Sequence, residues 1–331
     1  MRQNLGVGLS LAITCWGMLN SPVITAGSSG DREEMDDKVF FVINKYSGKG
    51  RRTDLEGLIR TRCGQVGIQP TMEATQYAGH ATELARQAAA DGYLRVFAVG
   101  GDGTVNETAN GLVRTPAAMG IIPTGSGNGL ARHLGIPMAT TKALALLAES
   151  RTVAMDALRI NDQYSFNVSG VGFDGFVAGL FGQDGNRGLA GYVNIILREY
   201  PRFREFLVKG ENVGLSLGAS AFIVAFANSS QFGNGATIAP QASVCDGQLD
   251  LCLIRKPGWL QAIPFIVRMM TRSLDRSPLV KIVQTAACQI NLEQPVAWHL
   301  DGEPCPPTDQ FSVKLEPGCL SILAPAVAHS L

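Results

Sequence analysis

The stretch VFAVGGDGTVNE, residues 96–107, joins a short apolar run to two glycines, a carboxylate and a third glycine, after which a helix-compatible segment begins. The apolar run predicts a buried strand, and the glycines predict a tight turn into a helix N-terminus. Such a turn suits a polyphosphate, because glycines let it approach the backbone and the helix end offers free N–H groups. Asp102 cannot itself attract phosphate, so its presence indicates a metal ion or a hydroxyl partner. The stretch therefore predicts nucleotide phosphates and phosphoryl transfer.

Strand-like and helix-like segments alternate around this turn. Apolar runs lie at residues 38–44, 70–75 and 120–123, with helix-compatible segments between them. This alternation is typical of a doubly wound, Rossmann-like α/β domain with a parallel sheet, which we place at residues 38–150. From residue 151 to 317, short strands recur between Gly, Asn and Pro signals, which predicts an antiparallel β-sandwich domain. The tail, residues 318–331, is a candidate to complete the first domain.

The amino-acid composition indicates a globular protein with two domains. The chain has 331 residues, of which 46% are hydrophobic and 17% charged, so it is long and apolar enough for two globular domains. Its formal net charge is zero, which gives no sign of a nucleic-acid partner. The 7 cysteines are scattered without a CxxC pair, so the sequence indicates neither a zinc site nor a disulfide framework.

The N-terminal segment, residues 1–34, differs from the rest of the chain. An apolar block at residues 5–19 follows a single Arg2 and precedes the small residues 25–28. The block has the length of a signal-peptide core and is short for a membrane span. The pattern fits a signal peptide or a membrane anchor, and it also fits an upstream misassigned start if translation begins at Met35.

A second glycine turn follows the next predicted strand. Residues 124–132 read TGSGNGLAR, directly after the run at 120–123. In a doubly wound sheet both turns open at the same carboxyl edge, where ligands bind. The first strand is not followed by the dinucleotide fingerprint GxGxxG, and GxxxxGK[ST] is absent from the sequence, so ordinary Rossmann and P-loop enzymes are disfavoured.

The ordered set of these motifs resembles the diacylglycerol kinase catalytic-domain family, which includes bacterial lipid kinases and sphingosine kinases. GGDGT alone is shared with NAD kinases, but the full set is much more specific. The resemblance runs from about Lys38 to near the C-terminus. Its matching stretches are residues 44–48, 100–104 with 106–107, 123–132, 167–174, 239–240 with 246–250, and 300–304.

The resemblance implies ATP bound in the cleft between the α/β domain and the β-sandwich domain. Glycine turns and helix N-termini hold phosphates, while Asn and Thr supply neutral hydrogen bonds. The family's nucleotide contacts match Asn44, Lys45, Tyr46, Ser47, Gly48, Thr75, Gly101, Asp102, Gly103, Thr104, Val105, Asn106, Glu107 and Ser126.

Three carboxylates are implied in catalysis. Asp102 is expected to organise Mg²⁺ and the transferred phosphoryl group. Glu303, on a turn after the predicted strand 296–300, matches the family's proton acceptor and would take the proton of a lipid hydroxyl. Asp301 lies close enough to couple with Glu303 or with Mg²⁺, so the base role is open between Asp301 and Glu303.

A further Mg²⁺ site is implied at an Asp-Gly turn. The resemblance gives Asp246 as its carboxylate ligand, with backbone carbonyl groups at Ser243 and Gln248. A hard cation held by few protein oxygens and several waters is typical of magnesium. Asp-Gly is also ordinary turn chemistry, in which the aspartate bonds its own backbone.

Because of one departure from the family pattern, the sequence does not identify the lipid that accepts the phosphoryl group. Many bacterial relatives have an acidic residue after the asparagine of the second motif, whereas this chain has Gly129, as in the sphingosine kinase version. Diacylglycerol is the first expectation, with a sphingoid base or another lipid alcohol as alternatives. An NAD kinase-like enzyme and a nonenzymatic lipid- or nucleotide-binding protein are the rival functions.

The use of ATP and a lipid bears on location. We expect a cytoplasmic enzyme that works at the inner face of a membrane and contacts its surface transiently, because ATP is cytosolic. Two segments with arginines beside apolar residues, 192–206 and 259–276, are candidates for that contact, and packing onto the sandwich is their simpler interpretation. The sequence leaves the oligomeric state open, with a homodimer as one option.

Overall fold

A computed structural model describes residues 38–47, 54–181, 189–211 and 218–326. Predictions for residues 1–34, for Gly48 and for the tail after residue 326 lie outside the described residues. Within these ranges no helix is long and apolar enough to cross a membrane.

The first half of the described chain is a parallel sheet flanked by helices. Its central strands are buried on both faces, as their uninterrupted apolar sequences predict. The strands are β1 (Lys38–Ile43), β2 (Gln69–Ala74), β3 (Arg95–Gly100) and β4 (Ala118–Pro123). The helices are α1 (Leu55–Gln65), α2 (His80–Ala90), α3 (Asp102–Leu112), α4 (Gly129–His133) and α5 (Thr140–Ala143), followed by a 3₁₀ turn at Leu144–Leu147.

The second half is mostly antiparallel sheet. Its strands are β5 (Ser150–Ile160), β6 (Gln163–Ser165), β7 (Val168–Gly172), β8 (Phe206–Glu211), β9 (Ala219–Ala221), β10 (Ile223–Ala227), β11 (Gln231–Gly233), β12 (Ala236–Thr237), β13 (Leu249–Ile254), β14 (Val280–Thr285), β15 (Ala287–Leu300) and β16 (Glu303–Pro325). Three helices and a 3₁₀ turn interrupt them: α6 (Phe173–Leu180), α7 (Leu189–Glu199), α8 (Trp259–Met270) and Leu274–Arg276. Helix α7 ends at Glu199, because Pro201 disfavours helical backbone at the residue before it.

Strand β16 joins the two halves into one sheet. The strand order is β14-β13-β10-β7-β15-β16-β4-β3-β1-β2. The first part of β16 pairs antiparallel with β15, and its last part pairs parallel with β4 at Ser321 and Ile322. An α/β half with a parallel sheet and an antiparallel β-sandwich half confirm the predicted fold class.

Asp156 fastens the loop between β12 and β13 to this shared sheet. The Asp156 carboxylate is buried and accepts the backbone N–H of Gly247 and that of Gly318, each at 2.8 Å. The Asp156 N–H in turn donates to the Val244 carbonyl oxygen at 2.7 Å. One side chain on β5 therefore holds both the Asp246 turn and β16.

Replacing Asp156 with alanine removes the acceptor of two backbone N–H groups. We expect Asp156→Ala to lower the free energy of unfolding by about 3 kcal/mol, since buried donors without partners are costly. Urea denaturation measures this value. Asp91→Ala is the control and should change stability little, because this aspartate is exposed and its side chain accepts only from Gln87 among the described residues. Equal stabilities of the two variants would contradict the role of Asp156.

Candidate active site

The two glycine turns touch each other at the carboxyl ends of β3 and β4. The Thr124 N–H donates to the Gly100 carbonyl oxygen at 2.8 Å. A Cβ atom placed on Gly125 would lie 2.6 Å from the Gly101 Cα atom, so no side chain fits at position 125. This contact between two backbones forms the floor of the cleft, with the N-terminus of α3 at its side.

Asp102 connects the first turn to the second. One carboxylate oxygen accepts the Asn128 N–H and the other accepts the Gly129 N–H, each at 2.8 Å. Burial raises the pKa of the Asp102 carboxyl above its ordinary value, the two N–H groups oppose that rise, and the negative charge of Asp301 adds to it. Asp102 thus orients the second turn and faces another carboxylate across the cleft.

The loop after β1 closes one side of this floor. The Asn44 side-chain amide donates to the Thr104 hydroxyl at 3.0 Å, and the Ser47 hydroxyl lies 2.6 Å from that of Thr124. Tyr46 is exposed, and Lys45 lies at the surface in a salt bridge with Glu56 at 3.0 Å. The loop therefore contributes neutral polar groups to the cleft.

Of the remaining predicted nucleotide contacts, one is exposed at the cleft and three make contacts within the α/β half. Ser126 is exposed at the tip of the second turn, and the Thr75 N–H extends the β2 ladder by donating to the Ile43 carbonyl oxygen at 2.9 Å. The Val105 side chain packs in the core. Glu107 accepts the Ala81 N–H at 3.1 Å, so its carboxylate serves the start of α2.

Asp301 lies at the centre of the contact between the two halves. Its buried carboxylate accepts the Asn106 side-chain amide of α3 at 2.9 Å and the Ser165 hydroxyl of β6 at 2.6 Å. It also accepts the Phe166 N–H at 2.7 Å and the Asn167 N–H at 3.1 Å. Four donors engage its two oxygens, so Asp301 is held in one orientation by both halves.

Glu303 differs from Asp301 both in its exposure and in its hydrogen bonding. Its side chain is exposed, and no donor in the described part of the chain lies within hydrogen-bond distance of its carboxylate. One carboxylate oxygen lies 3.0 Å from the point that a Cβ atom on Gly103 would occupy. Glu303 therefore presents an unengaged carboxylate directly over the GGDGT turn.

A buried histidine and aspartate hold the turn that carries these two residues. The His299 Nε2 atom lies 3.3 Å from a carboxylate oxygen of Asp174, and the His299 Nδ1 atom accepts the Gly302 N–H at 3.0 Å. Both side chains are buried. Sequence reasoning misses this pair, because its one signal is a histidine inside the apolar run 296–300.

The predicted Mg²⁺ ligands lie in the loop between β12 and β13. Asp246 is exposed, and one of its oxygens accepts the Gln248 N–H at 3.0 Å. Burial, and then the negative charge of Asp246, raise the pKa of the neighbouring Asp250 carboxyl to about 6. Among the described residues no group of three or more His, Cys, Asp and Glu side chains is arranged to hold a metal, so a cation at this turn depends on backbone carbonyl groups and water as well.

Position 129, the departure noted in the sequence, has no room for a side chain. A Cβ atom on Gly129 would lie 2.5 Å from the Asn167 amide nitrogen and 2.9 Å from the Gln231 carbonyl oxygen. The glycine permits α4 and its turn to pack closely against β11 and the segment before β7.

Comparison with known proteins places this cleft in a family. Residues 38–160 match the model of the diacylglycerol kinase catalytic domain, and residues 168–324 match that of the YegS C-terminal NAD kinase beta sandwich-like domain. The chain is 30% identical over 276 residues to a "Probable lipid kinase YegS-like" of Chromohalobacter salexigens, which covers 80% of this chain and 86% of the relative. The chain belongs to the diacylglycerol kinase catalytic-domain family of lipid kinases.

Further relatives agree with this assignment. A "Probable lipid kinase YegS" of Salmonella arizonae is 28% identical over 271 residues, covering 78% of this chain and 87% of the relative. The crystal structure of a diacylglycerol kinase from Bacillus anthracis superposes with a TM-score of 0.71 at 21% identity, covering 88% of this chain and 98% of that one. At that identity the structural likeness establishes the fold.

The contact between the two glycine turns leads to a prediction about a matched pair of substitutions. We expect Gly125→Ala to lower the free energy of unfolding by about 2 kcal/mol or more, because its methyl group meets backbone that cannot rotate away. Gly101→Ala should cost less, since the nearest atom to its Cβ is 3.4 Å away. Thermal unfolding of both variants measures the difference, and equal losses would show that the turns are not in rigid contact.

Proposed function

We propose that the protein is an ATP- and Mg²⁺-dependent lipid kinase that transfers the γ-phosphoryl group of ATP to a lipid hydroxyl, with diacylglycerol as the first acceptor to test. The observation that carries the proposal is the unengaged Glu303 carboxylate above Gly103 at the GGDGT turn. A base at that point lies next to the site where glycine turns and a helix N-terminus suit phosphates.

The contacts support a division of roles between the two acidic residues of the Asp301–Glu303 turn. Glu303 is exposed and free to accept the proton of the lipid hydroxyl as its oxygen attacks the γ-phosphorus and ADP leaves. Asp301 accepts four hydrogen bonds already, so we assign it the positioning of the turn. The His299–Asp174 pair supports the same turn through the Gly302 N–H.

The charge distribution fits the magnesium that the family implies. Burial and the negative charge of Asp301 raise the pKa of the Asp102 carboxyl, and burial and the negative charge of Asp246 raise that of Asp250 in the β12–β13 loop. Carboxylates with further carbonyl and water oxygens are the ligand chemistry that Mg²⁺ prefers. We assign Asp102 to the catalytic ion, and Asp246 with the carbonyl groups of Ser243 and Gln248 to the structural one. Bound Mg²⁺ would neutralise charge on the phosphates.

An acceptor panel tests the proposed function. The purified full-length chain is incubated with γ-labelled ATP and Mg²⁺ over diacylglycerol, a sphingoid base and other lipid alcohols, with NAD as a separate acceptor. Label in diacylglycerol is the expected result, and label in a sphingoid base would revise the acceptor alone. ATP binding by calorimetry without transfer to any lipid would refute the proposal in favour of a binding protein, and label in NAD would favour the NAD kinase-like alternative.

Glu303→Gln separates catalysis from folding. We expect this variant to lose about 10²- to 10⁴-fold in kcat, because the amide cannot accept the proton. Its free energy of unfolding should be unchanged, since the carboxylate makes no hydrogen bond within the described residues. Glu293→Gln, on an exposed glutamate of β15, is the matched control and should retain full activity. Full activity of Glu303→Gln would remove Glu303 from the mechanism.

A further inference from the structure

Helix α8 presents an apolar face that no other part of the described chain covers. Phe265 packs inward, while Leu260 is 95% and Trp259 76% exposed. The exposed apolar residues recur every three or four positions, so they lie on one side of the helix. These residues, here called the docking face, are Trp259, Leu260, Ile263, Ile266, Val267 and Met270.

Helix α7 extends this face. Val193 and Leu197 are exposed one helical turn apart on α7. Just after α7, the Tyr200 hydroxyl donates to the Pro257 carbonyl oxygen, and the Tyr200 ring lies 6.1 Å from that of Trp259. These contacts join the end of α7 to the start of α8, so the apolar surface continues across two helices. Surfaces of this kind on a soluble fold mark interaction sites.

The charge around the docking face indicates what covers it. The chain as a whole carries 28 basic and 28 acidic residues, yet the segment 255–276 has five basic residues against Asp275 alone. The five are Arg255, Lys256, Arg268, Arg272 and Arg276. Among the described residues none of the five forms a salt bridge, although the Glu205 carboxylate accepts the Lys256 N–H at 2.7 Å and so lies beside Arg255 and Lys256. The segment as a whole keeps an excess of positive charge. Apolar side chains flanked by an excess of cations are complementary to the interface of an anionic bilayer.

The docking face ends close to the cleft. The Met270 Cε atom lies 3.5 Å from the point that a Cβ atom on Gly235 would occupy, in the β11–β12 hairpin. In the same hairpin the Asn234 N–H donates to the carbonyl oxygen of Gly127, in the second glycine turn, at 3.2 Å. A bilayer against α8 is therefore separated from the phosphate-binding turn by one hairpin.

We infer that α8, extended by α7, docks the protein onto an anionic bilayer, with the docking face in the interface and its arginines at the headgroups. A helix of 12 residues is too short to cross, so it lies in the plane of the membrane. The inference rests on the proposed function in one respect: a lipid hydroxyl must reach the cleft from a bilayer.

Vesicle sedimentation of the full-length chain tests the docking. We expect binding to vesicles of phosphatidylcholine with phosphatidylglycerol, weakened by raising salt from about 0.1 M to about 1 M, which shortens the Debye length from about 10 Å to about 3 Å. The double variant Leu260→Gln/Ile263→Gln should bind at least about tenfold more weakly. Arg272→Gln/Arg276→Gln should lose affinity for anionic vesicles, and the charge-matched control Arg60→Gln/Arg86→Gln, on α1 and α2, should not.

Trp259 fluorescence reports the docking face separately from the apolar N-terminal segment. The difference between the native chain and Trp259→Phe isolates the emission of this residue. Brominated acyl chains should quench that component if α8 lies in the interface. Absence of quenching while the chain sediments with vesicles would overturn the inference, because the contact would then lie elsewhere.

Three further outcomes are decisive. A dimer in analytical ultracentrifugation that Leu260→Gln/Ile263→Gln dissociates would show that a second copy covers the face, which would also overturn the inference. Vesicle binding is measured without ATP, so a chain that docks and transfers no phosphate would refute the proposed function alone. A chain that phosphorylates a short-chain, monomeric diacylglycerol but leaves Trp259 unquenched would refute the docking alone.

Discussion

The carboxylate of Asp301 is the constraint on which the cleft depends. A buried charge is tolerable only when hydrogen bonds replace the water it has lost, and here the replacement comes from both halves of the protein: Asn106 of α3 on one side, the segment from Ser165 to Asn167 on the other. The same residue has φ of 48°, a left-handed conformation that aspartate tolerates better than most residues. The carboxylate fixes the turn geometry, and the turn carries Glu303 to Gly103. Two acidic residues that are two positions apart thus differ sharply in burial and in hydrogen bonding.

A second theme is the use of glycine to bring backbones together. Gly101 and Gly125 let two turns touch, and Gly129 lets α4 approach Asn167 and β11. Asp102 then accepts N–H groups from the second turn, which keeps that turn open at the carboxyl edge of the sheet. In the sequence, Gly129 departs from the family's second motif, and the identity of the lipid acceptor is therefore undecided. In the structure it is a packing requirement, so its identity carries less information about the acceptor than the motif comparison suggests.

Much of the fold follows from the sequence, because buried parallel strands such as β1 and β3 are continuous apolar runs and the glycine turns mark their ends. The fold class and the lipid kinase family are confirmed, whereas the roles of the individual site residues stay predictions. Within β16 the sequence shows two apolar runs, 311–315 and 320–323, separated by Pro317 and Gly318, which locally favour a turn. Pairing with β5 on either side of these two residues overrides that local signal and makes the runs one strand. The contacts of Asp301 and His299 span more than a hundred residues or join a strand to a helix, and neither spacing nor composition records such contacts.

Strand β16 limits how the two halves can move relative to each other and whether they can be separated. It runs through both halves for 23 residues, with its register shifted between Glu316 and Leu320, where Gly318 adopts φ of 57°. A cleft between two halves usually opens about a flexible linker, but a shared strand permits only bending at a defined point. The chain also cannot be divided near residue 150 into two independent pieces, since the first would lose the strand that pairs with β4. The α/β half and the sandwich are consequently one mechanical and cooperative unit, in which strain at the cleft is transmitted along a single stretch of backbone.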